Sequence, residues 1–304
     1  MTISTNTQTQ SFLMRRFREV GLEPNAKRGQ NFLVDLNLLR LLLDAAQLDE
    51  RDVVLEVGTG MGSLTALVAP LVAAVVTVEI DKQLHQLASE ELIDCENVRL
   101  LSLDALRNKN NLADEVLEAV GQELNAAPGR RFKLVANLPY AVATPVISNL
   151  LAGDLTPTSM TVTIQKELAD RIMARPSTKD YSALTVWMQA QCRIELVRVM
   201  PPTVFWPRPK VNSAIIHVVV DEELRSRIPD RAFFHEFVRS MFFHRRKFLR
   251  SELASAFKGR FTKTDADEIM ASLELGPTTR AEELDVDAML RLCAAVRARL
   301  PAVE

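Results

Sequence analysis

The chain of 304 residues is expected to fold as an α/β protein: a doubly wound, mainly parallel sheet closed by a late antiparallel hairpin, then a smaller all-helical domain. Three observations predict this. Short apolar runs alternate with stretches of helical apolar spacing between residues 36 and 174. A glycine-rich turn, Gly58-Thr59-Gly60-Met61-Gly62, follows the first of those runs at once and precedes a helical stretch. Beyond about residue 221 the strand-like runs stop, and every apolar pattern is helical.

Taken in order, residues 36–48 have helical spacing and give way to the polar turn Asp49-Glu50-Arg51-Asp52. Residues 53–57 read as a buried strand, 63–71 as a helix and 75–80 as a second strand. Asp81 suits the N-cap of a helix reaching about residue 92, since its carboxylate can accept from first-turn N–H groups. Residues 98–103 form a third strand ending at Asp104, and a helix over 112–124 leads to a fourth strand over 132–136. Thr144-Pro145 opens the next helix, where a missing N–H costs least. Strand 160–165, helices 166–174 and 181–191, and strands 194–200 and 211–220 complete the sheet region. The Pro-rich connection 201–209 suits an antiparallel hairpin. Helices over 232–257, 264–273 and 286–300 follow.

Composition narrows the class. An apolar fraction of 47% and a charged fraction of 25% are those of an ordinary globular protein. No apolar run approaches the roughly 20 residues of a membrane span, and Met1 to Gln10 has no apolar core for a secretory signal. Residues 1–24 are expected to be a flexible tail, with Arg15, Arg16, Arg18, Lys27 and Arg28 as a mobile basic arm that orders on binding. Cys95, Cys192 and Cys293 are too few and too scattered for a disulfide framework or a zinc site, so no metal is expected and a cytoplasmic location fits. A net charge of −2 gives no global sign of nucleic acid, but Arg239, Arg245, Arg246, Lys247 and Arg250 cluster with no acid among them.

The most informative tetrapeptide is Asn137-Leu138-Pro139-Tyr140, at the carboxyl end of the fourth strand, where open α/β sheets bind ligands. It suits methylation of an exocyclic amine on a flat base. The adenine N6 lone pair is delocalised into the ring and is a poor nucleophile. The Asn137 side-chain oxygen and the Leu138 carbonyl could each accept one N6–H bond, favouring a more tetrahedral nitrogen, while Tyr140 stacks on the ring.

Gly58-x-Gly60-x-Gly62 is a nucleotide-type turn but not the dinucleotide pattern. Glu79 ends the second strand roughly 20 residues after Gly58, where a carboxylate can accept both ribose hydroxyls. Asp104 ends the third, where it can receive an adenine amino group. Each alone reads more readily as a solvated loop residue than as a ligand contact; three successive strand ends with polar acceptors favour a site. No Gly-Lys-Ser/Thr motif is present, and no basic residue lies between Gly58 and Ile80. S-adenosylmethionine, which has a ribose, an adenine and a sulfonium but no phosphate, fits better than NAD or ATP.

With these residues in view, the chain resembles the small-subunit ribosomal RNA adenine N6-dimethyltransferase family from about residue 24 to residue 300. The matching segments are Gly29-Gln30-Asn31-Phe32-Leu33, Glu56-Val57-Gly58-Thr59-Gly60-Met61-Gly62, Val78-Glu79-Ile80-Asp81, Asp104-Ala105 and Asn137-Leu138-Pro139-Tyr140. Later ones are Gln165-Lys166-Glu167, Phe205-Trp206-Pro207-Arg208-Pro209-Lys210-Val211-Asn212-Ser213-Ala214 and Phe243-His244-Arg245-Arg246-Lys247. The resemblance implies a Rossmann-like methyltransferase sheet binding S-adenosylmethionine, and dimethylation of two adjacent adenosines in a hairpin loop near the 3′ end of small-subunit rRNA. It implies that Asn31 and Leu33 close over the cofactor and that Gly58 lies under its methionine portion. Asn137 would touch both cofactor site and target amine, and Phe205 would stack on the base opposite Tyr140.

The resemblance has departures. Thr59 stands where Pro is usual, Ala141 where Asn is usual, and Phe248 and Ser251 where Thr and Asn are common, which bears on RNA contacts rather than chemistry. Leu138 and the segment Thr278-Thr279-Arg280-Ala281-Glu282-Glu283-Leu284 resemble the small-subunit rather than the large-subunit type.

The implied mechanism is an in-line displacement at the sulfonium methyl, without metal or covalent intermediate. His85, His217, His235 and His244 are scattered, and no cysteine sits at a strand end. For the RNA backbone the candidates are Arg208, Lys210, Arg245, Arg246, Lys247 and Arg250, with Arg246 and Arg250 four apart on one expected helix face. The expected division is 25–221 for the cofactor-binding methyltransferase domain and 222–304 for a helical RNA-binding domain. The expected partner is small-subunit rRNA within a pre-ribosomal particle, bound by a monomer, with no membrane. Two alternatives stay open at this level: a large-subunit rRNA adenine methyltransferase, and an RNA-binding assembly factor that keeps the fold without its catalysis.

Overall fold

Runs of β-branched and aliphatic residues too short for helices build the centre of the molecule, and the polar turns between them set its connections. The computed structural model describes residues 10–24, 29–244 and 247–300. The chain opens with helix α1 (Gln10–Glu19), the two-residue strand β1 (Phe32–Leu33) and α2 (Leu36–Ala46). The alternation then runs β2 (Asp52–Val57), α3 (Ser63–Val68), β3 (Ala74–Val78), α4 (Lys82–Glu91) and β4 (Val98–Leu101). A small ribbon of β5 (Leu106–Asn108) and β6 (Asn111–Leu112) precedes α5 (Asp114–Asn125), β7 (Arg131–Asn137), α6 (Ala143–Ala152) and β8 (Ser159–Gln165). Next come α7 (Lys166–Ile172), α8 (Ala183–Gln189), β9 (Cys192–Met200), β10 (Phe205–Trp206) and β11 (Ser213–Val220). The rest is helical: α9 (Glu222–Ser226), α10 (Arg231–Met241), α11 (Leu249–Ala256), α12 (Lys263–Ser272) and α13 (Val286–Arg299).

Seven strands form the main sheet in the order β4-β3-β2-β7-β8-β11-β9. β2 pairs in parallel with both β3 and β7, β3 with β4 and β7 with β8, whereas β11 runs antiparallel to β8. The expected sheet is therefore present, with its late antiparallel strand. From β2 the chain builds outward through β3 and β4, then returns to β7 on the other side of β2. That reversal opens a crevice at the carboxyl ends of β2 and β7, where the glycine turn and Asn137 lie. Every residue of β2 and β3 is buried, as a parallel sheet covered on both faces requires.

Chain contacts divide the molecule into two compact units. One takes the chain through Ala169 together with Ile194–Val219; the other takes Asp170–Arg193 together with the chain from Val220 onward. Residues 170–193, read as part of the sheet domain, cluster with the C-terminal helices. Burial explains this. Trp187 of α8, 1% exposed, packs on Phe234 and His235 of α10, the latter with ring centroids 4.5 Å apart. The Tyr181 hydroxyl donates to the Leu284 carbonyl at 2.7 Å.

Two expectations are corrected here. Residues 10–19 are not a flexible tail but the amphipathic helix α1, with Leu13 and Phe17 each 3% exposed. Phe17 meets Trp206 edge-on at 5.0 Å and Phe32 at 5.5 Å, and Arg16 pairs with Glu90 of α4 at 2.9 Å, so this arm is anchored. Lys27 and Arg28 lie outside the described residues. The single helix expected over 232–257 is two, α10 and α11. The Leu249 N–H donates to the Thr279 carbonyl at 2.8 Å instead of continuing the helix, and Leu249 itself is fully buried.

Candidate active site

The Gly58–Gly62 turn is fixed from below by the β3 carbonyl of Val78, which accepts from the Gly58 N–H at 2.9 Å and the Thr59 N–H at 3.2 Å. Gly58 has φ +89°, and a Cβ there would stand 3.0 Å from both Cγ and Cδ of Pro139. Gly60 has φ +60°, and its Cβ would stand 3.0 Å from Phe32. Both backbones therefore need glycine for conformation and for closeness. The turn is squeezed between the Asn137–Tyr140 and Gly29–Leu33 segments, so three sequence motifs share one cleft.

The charged groups of its described lining are all carboxylates. Glu79, 5% exposed, accepts from the Gly60 N–H through Oε2 and from the Asp81 N–H through Oε1, both at 2.9 Å. Asp104 sits on the rim, exposed, with Oδ1 accepting from the Leu106 N–H at 2.9 Å. It lies past the end of β4, which stops at Leu101 rather than at residue 103. Glu56, not among the expected site residues, is the third acid. It is 2% exposed and accepts from the hydroxyls of Thr65 and Thr77, the latter at 2.8 Å, while Thr77 is bonded to Thr59 at 2.7 Å. Burial pushes its carboxyl up to about 7; the Thr65 and Thr77 hydrogen bonds pull the other way, and the Glu79 charge pushes further up. The available signal was an acid inside the otherwise apolar end of the first strand run.

Asn137 closes β7 beside the cleft. Its Nδ2 donates to the Asn31 carbonyl at 2.8 Å, and the Asn31 side chain donates to the Gly29 carbonyl at 3.1 Å. Because the amide nitrogen is committed, Oδ1 is the acceptor that remains. Leu138 is 1% exposed and its N–H donates to the Thr163 carbonyl at 3.1 Å. Among the described residues, no backbone hydrogen bond outside helices and strands ends on the Leu138 carbonyl. The Tyr140 hydroxyl is bonded to the buried Ser213 hydroxyl at 2.5 Å; partial burial raises the phenol pKa and that bond lowers it. Leu33, 7% exposed, lines the cleft as well.

Phe205 is a correction. It does not line the cleft but is 1% exposed in the hydrophobic core with Leu33, Leu39 and Ile215. Pairing of Leu33 with Phe205 across the β1–β10 ribbon carries this ring into the core, so it offers no face to a base.

The expected RNA-binding cations differ in their local surroundings. Arg208 and Lys210 are exposed on the connection before β11. Lys247 has its side chain 52% exposed, 4.0 Å from Glu252. Arg245 and Arg246 lie outside the described residues. Arg250 is engaged within the helical unit: Asp267 of α12 holds its guanidinium through two bonds of 2.5 and 2.6 Å, and α11 begins at Leu249. Among the described residues no cluster of His, Cys, Asp and Glu could hold a metal, and no helix is long and apolar enough to cross a membrane.

The described lining of the cleft contains Glu56, Glu79 and Asp104 but no Lys, Arg or His. Such a site repels phosphate and favours a ligand of positive charge, which fits the sulfonium and ammonium of S-adenosylmethionine. The doubly wound sheet, this acid-lined crevice and the Asn-Leu-Pro-Tyr strand end define the class as S-adenosylmethionine-dependent methyltransferases. The comparisons narrow it. The chain matches the family described as ribosomal RNA adenine dimethylase over residues 21–295. It is 40% identical over 274 residues to the ribosomal RNA small subunit methyltransferase A of Lactiplantibacillus plantarum, covering 90% of each chain. The protein of that name from Streptococcus mutans is 34% identical over 298 residues, 98% of each. The crystal structure of a dimethyladenosine transferase from Plasmodium falciparum shares the fold with TM-score 0.70 at 22% identity, over 87% of this chain and 97% of that one. The chain belongs to the ribosomal RNA adenine dimethylase family and is an rRNA adenine dimethyltransferase.

Proposed function

We propose that this chain dimethylates N6 of two adjacent adenosines in a hairpin loop near the 3′ end of small-subunit rRNA, acting as a cytoplasmic monomer on a pre-ribosomal particle. The name of the bacterial relatives supports the small-subunit assignment. The observation that carries the chemistry is Asn137, whose amide nitrogen is tied to the Asn31 carbonyl so that its oxygen remains to accept.

When bound, S-adenosylmethionine supplies an electrophilic methyl group on a sulfonium. Gly58 and Gly60 let the backbone come close to it, and Asn31 and Leu33 close the cleft. Glu79 accepts from the ribose hydroxyls, and Asp104 accepts from the adenine amine. Asn137 Oδ1 and the Leu138 carbonyl accept the two N6–H bonds of the target and direct its lone pair outward, while Tyr140 stacks on the ring. The departing proton leaves a cationic amine for water, so positioning and fixed dipoles carry the catalysis. A base inside a stack cannot reach such a slot, so the target enters from an open loop or is flipped. Arg208, Lys210 and Lys247 bind RNA phosphates, and the helical region from residue 222 serves as the RNA-binding domain. Asn137→Ala should lower the methylation rate of small-subunit rRNA by about 10²–10³. A wild-type rate in that variant overturns the mechanism.

A further inference from the structure

The helical unit carries its own cavity of 460 Å³, lined by α10, the turn after it and α11. Glu252 lines it at 3% exposure, and its Oε1 accepts no hydrogen bond from any described residue. An acceptor removed from water without a donor is costly, so a ligand there gains by supplying N–H groups. Phe243, also in the lining, is 79% exposed and meets His244 edge-on with centroids 4.8 Å apart, which leaves an aromatic ring facing solvent. Arg239, exposed in the lining, and Lys247, whose Nζ stands 4.0 Å from Glu252 Oε1, carry positive charge that balances the acids Glu236 and Glu252. A cation already beside Oε1 opposes a metal ion or a second ammonium group there, and both cations can take phosphate.

Donors for a buried carboxylate, a flat face for a ring and phosphates for two cations together describe an unpaired nucleotide. Guanine alone among the four bases places two N–H donors, N1–H and N2–H, side by side on its pairing edge. Adenine, cytosine and uracil each set an acceptor next to the donor, which a carboxylate repels. We propose that this cavity is a subsite for one unpaired guanine of the bound RNA, its edge read by Glu252 and its ring resting on Phe243. The proposal rests on the reading of the chain as an rRNA-modifying enzyme.

The test measures anisotropy of short oligouridylates carrying one central guanosine, inosine or adenosine, with the full chain, Glu252→Gln and Phe243→Ala. Wild type should bind the guanosine form about tenfold more tightly than inosine, which lacks the N2 amine. Glu252→Gln should erase that preference, and the exposed-site variant Phe243→Ala should weaken binding of the guanosine oligonucleotide while folding normally. Equal binding of the three oligonucleotides by wild type, no binding of any, or a preference that survives Glu252→Gln overturns the subsite. Methylation of small-subunit rRNA by the wild type, followed in parallel, separates the two failures. Methylation without guanosine preference removes only the subsite, and guanosine preference without methylation removes only the enzyme reading.

Discussion

Glu56→Gln should flatten the pH dependence of stability and of cofactor binding between pH 5 and pH 8. Burial raises the folded-state carboxyl from 4.5 to about 7. Within that window the folded protein keeps a proton that the unfolded chain has released, so stability falls as pH rises and levels off above 7. The full span, 7 less 4.5, is 2.5 pH units, or about 3 kcal/mol at about 1.4 kcal/mol per unit. Between pH 5 and pH 8 roughly 2–3 kcal/mol of it falls, because the unfolded carboxyl is already partly ionised at pH 5. Urea denaturation of both proteins at the two pH values gives a double difference in which any fixed effect of the amide cancels. The wild type should lose about 2–3 kcal/mol more than the variant on going to pH 8. A cationic ligand entering the cleft favours the ionised Glu56, so calorimetry should show S-adenosylmethionine affinity rising with pH through 7 in wild type and not in the variant. An identical pH response of the two proteins in denaturation refutes the reasoning.

Three further outcomes follow from the geometry. Ser213→Ala and Tyr140→Phe break the same hydroxyl pair, so each should raise KM for RNA with little change in cofactor affinity, and the double variant should be no worse than either; additive losses would show that Ser213 does not hold Tyr140. Phe17→Ala removes the aromatic anchor of α1 and should lower stability by about 3–5 kcal/mol in urea titration, whereas an unchanged midpoint would return this segment to the status of a loose tail. Replacing Arg208 and Lys210 by alanine should flatten the logarithmic salt dependence of RNA binding by about 0.7 per cation. Arg250→Ala should leave that slope unchanged, since Asp267 already neutralises the guanidinium, and a slope change as large as that for Arg208 would contradict this.

Local chemistry was enough to read the sheet and most of the cleft. A strand buried on both faces is an apolar run whatever surrounds it, which is why β2, β3, β7 and β8 were legible within a residue or two. Asp81 announced a helix start because an N-cap bond spans only three residues, and it accepts from the Gln83 and Leu84 N–H groups. Gly58, Glu79, Asp104 and Asn137 could be placed at one crevice because in a parallel sheet successive strand ends emerge on the same edge, whereas Asn31 was placed there by the family resemblance alone. Long-range pairing decided the remainder. Whether Phe205 faced a ligand or the core depended on its partner Leu33, far away in the chain, and whether Arg250 was available to RNA depended on Asp267. The order of α1, the break between α10 and α11 and the association of residues 170–193 with the C-terminal helices all arise from burial against distant residues. Burial is a property of the assembled chain, so no local window of sequence contains it.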